Sequence, residues 1–169
     1  MHTDRGAQHL ARRHFLPRPE ADILRPELVP LGSTVAPFFD TITPVSLGRP
    51  AGYSQGLLAP AGGRVLFVAG QTVPAFQAAS DIETFQAQFE AVLGRTLAVV
   101  EDAGGSAGHI GRMTIYVTNM AVYTTSRPAL GAIWQRRMGA HYPAMAVVEV
   151  SRLFDPAAVV EIEATAVLP

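Results

Sequence analysis

The chain has no cysteine. That removes disulfides, thiolate nucleophiles and cysteine-ligated metals together. It also has no lysine, since all 13 of its basic residues are arginine. No Schiff base can therefore form on the protein, and lysine-anchored pyridoxal phosphate is excluded with it. The five histidines, at positions 2, 9, 14, 109 and 141, show no metal-ligand spacing. There is no run of 18 uncharged apolar residues, and Met1-His2-Thr3-Asp4-Arg5 lacks the basic-then-apolar pattern of a signal peptide. The expectation is a cytoplasmic protein that makes no membrane contact. A net charge of -1 offers no field to gather nucleic acid. No nucleotide-binding loop, nucleophile elbow or zinc-protease motif occurs. Gly104, Gly105 and Gly108 follow a helical pattern, which makes them a helix stop and not a dinucleotide fingerprint.

What remains is one ordinary globular domain, 49% apolar in 169 residues. Residues 1–37 carry Pro17, Pro19, Pro26, Pro30 and Pro37 and little periodicity, so they read as an arm, because proline blocks helix and central strand alike. Regular patterning fills 38–169. A strand is expected over Phe39 to Val45, then a turn at Gly48 to Gly52. The β-branched and aromatic run Arg64 to Ala69, set between glycines, has the signature of a buried strand. Ser80-Asp81-Ile82-Glu83 has capping-box spacing. Ile82, Phe85, Phe89, Val92, Leu93, Leu97 and Val100 then recur at helical steps, predicting a helix of about 20 residues.

Met113, Ile115 and Val117 alternate along a half-buried strand at Arg112 to Thr118. Leu130, Ile133, Trp134 and Met138 form one stripe of a second helix, with Gly139 as its stop. Two last strands are expected at Ala144 to Val150 and Ala158 to Val167. The order β-β-α-β-α-β-β predicts an α+β fold, a mixed sheet with two helices on one face. Its other face is rich in valine, alanine and methionine, so partner subunits are expected to cover it.

Five segments stand out in fixed order: Tyr53-Ser54-Gln55-Gly56, Val68-Ala69-Gly70-Gln71, Thr114 to Met120, Tyr142-Pro143-Ala144-Met145-Ala146-Val147-Val148-Glu149-Val150, and Val160-Glu161-Ile162-Glu163-Ala164-Thr165-Ala166-Val167. Together they resemble the RidA/YjgF family over about residues 38–169. The resemblance implies a chorismate-mutase-like fold and a homotrimer with sites in clefts between subunits. It further implies hydrolysis of 2-imino or 2-enamino acids to keto acids and ammonia, with no metal and no organic cofactor.

Carried over to this chain, the resemblance makes Glu161 the carboxylate that orients or activates water. Glu163, two residues on, shares its strand face, where a solvated edge or an ion pair is the alternative. Tyr53 matches the tyrosine that walls the cleft, with Glu161 the second of the two catalytic candidates. Gly70 matches the position whose backbone approaches substrate, since a residue without Cβ permits close contact, with an ordinary strand-ending turn as the alternative; its neighbours Ala69 and Gln71 are further substrate-binding candidates.

One position departs from the pattern. Where the family has an arginine that clamps the substrate carboxylate, this chain has Met145. Arg127, aligned with a polar residue beside the family's site, is either a replacement anchor or an exposed helix residue; Arg112 and Arg152 are further candidates. Two functions follow as expectations. The first is an enzyme acting on an imine, enamine or conjugated carbonyl intermediate with Glu161 as acid/base. The second is a non-catalytic trimer that binds a metabolite or a partner.

Overall fold

The computed structural model describes residues 37–73 and 82–169. Their elements, in chain order, are β1 (Asp40–Ile42), β2 (Gly56–Leu58), β3 (Arg64–Gln71), α1 (Ile82–Asp102), β4 (Ile110–Val117), α2 (Met120–Met138), β5 (Ala144–Glu149) and β6 (Val160–Leu168). Residues 1–36 of the Pro-rich segment expected as an arm and the capping serine Ser80 lie outside the described residues.

Four strands form one mixed sheet in the order β3-β6-β4-β5, with β4 and β5 parallel and the other pairs antiparallel. The helices lie on one of its faces. This is the chorismate-mutase-like α+β arrangement. Sequence periodicity explains each helix: Phe85, Phe89, Val92, Leu93, Leu97 and Val100 of α1 are all buried, as are Leu130, Ile133, Trp134 and Met138 of α2. In β6 the alternation is complete, with Val160, Ile162, Ala164, Ala166 and Leu168 buried and the residues between them half-buried.

The helix ends are set by local chemistry. At the end of α1, Gly105 N–H donates to Val100 O at 2.8 Å and Gly104 N–H to Glu101 O at 2.9 Å, with Gly104 at φ +86°. These two bonds make a Schellman motif, which needs a left-handed residue at that position. Asn119 caps α2 by accepting from Val122 N–H at 3.1 Å, and Glu149 at the end of β5 accepts from Met120 N–H at 2.6 Å. An acceptor beside these orphan donors is where the helix dipole favours one. Gly139 ends the helix at φ +62°.

Three expectations need correction. The strand expected over Phe39 to Val45 spans only Asp40–Ile42, because Val45–Leu47 turns into one 3-10 helical turn after Pro44. Its partner β2 was not anticipated: three residues are too few to show a period, so the true order begins with three strands. β3, read as buried, is an edge strand, with Val65 57% and Phe67 80% exposed. Its residues suit burial, but none of the described residues covers that side. Among the described residues no helix is long and apolar enough to cross a membrane.

Candidate active site

Side-chain alternation sorts the expected site residues onto the two faces of the sheet. Ile115 pairs with Ile162 and Val147, and Met113 with Met145, so Met145 and Val147 face the helices. Tyr116 pairs with Glu161 and Val148, and these three face away from them.

On the helix side, between β5 and α2, lies a cleft of about 430 Å³. Tyr53, Met145 and Arg127 all line it. Tyr53 reaches it because the next residue is pinned across the loop before β5: Ser54 Oγ–H donates to Tyr142 O at 2.6 Å, and Ser54 N–H to Pro143 O at 3.0 Å. One wall is a stack of Trp134 on Tyr142, with ring centroids 5.6 Å apart and planes within 7°. Trp134 is fixed by its Nε1–H, which donates to His141 O at 3.0 Å. Tyr123 closes another side. Burial raises its pKa above the ordinary phenol value, and the Arg127 guanidinium pulls it partly back.

Arg127 is the only charged side chain lining the cleft among the described residues. The ion pairs formed there, Arg136 and Arg137 with Glu90, leave it without a carboxylate partner. Pro128 follows it inside α2 and has no N–H, so the carbonyl of Thr124, also at the cleft, lacks its helical donor. The cleft therefore combines aromatic walls, one cation and one backbone carbonyl without its helical donor. Arg112 faces the other side of the sheet and Arg152 follows β5, so neither lines it.

The remaining site residues gather at the β3 edge. The Glu161 carboxyl group lies directly over Gly70, where an added Cβ would stand 2.8 Å from Glu161 Cδ. Only a glycine permits that approach. The register slips between Val68 and Gln71, a bulge that turns Gly70 toward Glu161. Gln71 closes the bulge: its Nε2–H donates to Ala69 O at 3.1 Å, so its amide serves the backbone. Glu163 has a partner already, accepting from Tyr116 O–H at 3.1 Å, and that bond first and burial second raise the Tyr116 pKa. Among the described residues no cluster of His, Cys, Asp or Glu is fit to hold a metal ion.

One chain thus assembles two groups, Tyr53, Met145 and Arg127 at the β5 edge, and Ala69, Gly70, Gln71 and Glu161 at the β3 edge. It does not bring them together. Sequence reasoning missed the aromatic walls. Trp134 sat on the stripe assigned to the core, and Tyr123 could have been found as the residue one helical turn before Arg127.

The family described as Endoribonuclease L-PSP matches residues 45–168. Among solved structures, the chain is similar to YyfB from Yersinia pestis, a protein of unknown function of the conserved Rid family (28% identity, 78% of this chain and 99% of that one, TM-score 0.63). It is also similar to the YjgF gene product of E. coli (28%, 77% and 96%, TM-score 0.52) and to E. coli TdcF with bound serine (29%, 72% and 92%, TM-score 0.53). No curated protein matches it.

Proposed function

This chain belongs to the Endoribonuclease L-PSP family, the YjgF/RidA family of its structural neighbours, and from that premise we propose that it is a cytoplasmic enzyme acting on imine or enamine intermediates. The reaction is hydrolytic deamination, carried out by a homotrimer in clefts between subunits. The observation that carries this reading is the division of the site. A carboxylate with a close backbone neighbour stands at one edge of the sheet, and at the other stands a cleft whose cation has no carboxylate partner among the described residues. A head-to-tail contact sets the first edge of one copy against the second edge of the next, and three such contacts close a ring. The exposed Val65, Phe67 and Val148 supply apolar surface for it.

In the completed site Glu161 takes a proton from water as the water oxygen bonds to the imine carbon. It then returns that proton to the amine nitrogen of the carbinolamine formed from the protonated imine; the C–N bond breaks as the hydroxyl gives its own proton to Glu161, and ammonia leaves a carbonyl product. An enamine first gains a proton at carbon and enters as the imine. Gly70 lets the carboxylate approach the backbone, Tyr53 walls the substrate, and Arg127 takes over the anchoring that Met145 cannot perform. The serine bound to TdcF supports a ligand built on an amino acid.

The test is single-turnover conversion of an imino acid generated in situ, with unfolding and assembly checked in parallel. Glu161→Gln keeps size and one acceptor, and should lose roughly 10²- to 10⁴-fold in turnover while keeping the fold. Parent-like turnover in a folded variant would favour the non-catalytic binding protein, the reading that the methionine at position 145 supports.

A further inference from the structure

We propose that the cleft selects acids with an aromatic or large apolar side chain, holding the carboxylate on Arg127 and the side chain among Tyr53, Tyr123, Tyr142 and Trp134. This rests on the function proposed above and names its substrate class. Three observations lead to it. First, the cleft's charge is a single cation with no carboxylate partner among the described residues, so an anion is the complementary ligand. Second, the walls are rings: the Trp134–Tyr142 stack on one side, Tyr123 on another and Tyr53 at the rim, where it is 40% exposed. Flat apolar groups gain most against such surfaces, by offset stacking and by area removed from water.

Third, Met145 lines the cleft on the β5 side, across from Arg127 on α2, and its thioether is an adaptable contact for an aromatic edge. A guanidinium at that position would draw the carboxylate to β5 and fill the space with charge. With methionine there and the cation on α2, the anion is moved to the helix wall. The space along β5, bounded by Met145 and Val147, is left to the side chain. A volume of about 430 Å³ is far more than a methyl group needs.

The experiment measures binding, not turnover, with keto acids that share the carboxylate and side chain of the short-lived imines. Trp134 is the chain's one tryptophan and lines the cleft, so its fluorescence reports occupancy directly. Phenylpyruvate should bind at least about tenfold tighter than pyruvate, and at least about tenfold tighter than phenylacetone, which keeps the ring but lacks the carboxylate. Arg127→Gln should weaken phenylpyruvate by roughly tenfold or more and leave phenylacetone unchanged. Met145→Arg should bring pyruvate closer to phenylpyruvate.

Equal binding of pyruvate and phenylpyruvate by the parent overturns the proposal, as does a folded Arg127→Gln that binds phenylpyruvate like the parent. The parent's three-ligand comparison stands even if a variant misfolds. Because no step of chemistry is measured, loss of the catalytic reading through an active Glu161→Gln leaves these ratios intact. Conversely, a catalytically essential Glu161 with no preference for large side chains would sink this inference alone.

Discussion

The two faces of the four-stranded sheet differ in the way two halves of an unfinished core differ. Behind the helices, Met113, Ile115, Ile162 and Ala166 are buried against α1 and α2. On the other face Phe67 is 80% exposed, Val65 and Val148 stand beside solvent, and Glu161 and Glu163 share the surface with them. The strands that supply the two faces are the same strands. What differs is cover, and the described residues supply it for only one side. The helix face explains why the chain folds; the open face and the two edges are what the proposed assembly would cover.

The sharpest contrast comes from removing one phenylalanine from each face. Phe85, 1% exposed in α1, should cost about 3–5 kcal/mol of unfolding free energy when cut to alanine, read by chemical denaturation. Phe67→Ser should leave the single chain folded but prevent its assembly, so that sedimentation gives one chain where the parent gives about three times 18.0 kDa. Equal loss of unfolding free energy in the two variants, with the parent a monomer, would break the comparison.

A smaller effect tests the helix side alone. Gln88 is fully buried in α1 and spans to the loop before β6, with Nε2–H donating to Ala157 O at 3.0 Å and Oε1 accepting from Val159 N–H at 3.0 Å. Gln88→Ala leaves both backbone groups unpaired and should cost about 1–3 kcal/mol, measured by the same denaturation.

The smallest effect belongs to the open face. The bond from Tyr116 to Glu163 raises the tyrosine pKa in the folded state. Stability from this raised value is fully present below the ordinary phenol pKa of about 10 and is lost as pH rises through the folded value. Tyr116→Phe should therefore flatten the decline in stability above about pH 10 and change little at pH 7. An unchanged alkaline slope in the variant would assign that decline to other groups.

Much of this was legible in the residues. The 3.6-residue stripes of α1 and α2 and the two-residue alternation of β6 state which side chains are buried, because each pattern matches the geometry of its element. The run Arg64 to Ala69 was legible as a strand but not as an exposed edge. Valine and phenylalanine read the same whether a helix of their own chain or a second copy covers them. The motif residues Tyr53, Met145 and Glu161 were legible as candidates, but not their separation, which depends on register: Met145 and Glu161 fall on opposite faces because Met113 pairs with the first and Tyr116 with the second. The aromatic walls were hidden because Trp134 serves the core and the cleft at once.

The central claim is that Glu161 of one copy and Arg127 of the next complete one site, and mixing two inactive variants tests it most directly. Glu161→Gln and Arg127→Glu are each expected to lose turnover as pure proteins. Unfolded together in equal amounts and reassembled, they should recover about a quarter of the parent's sites, since each site then has even odds of an intact residue from either contributing copy. A reassembled mixture with no more turnover than the separate variants would contradict the account.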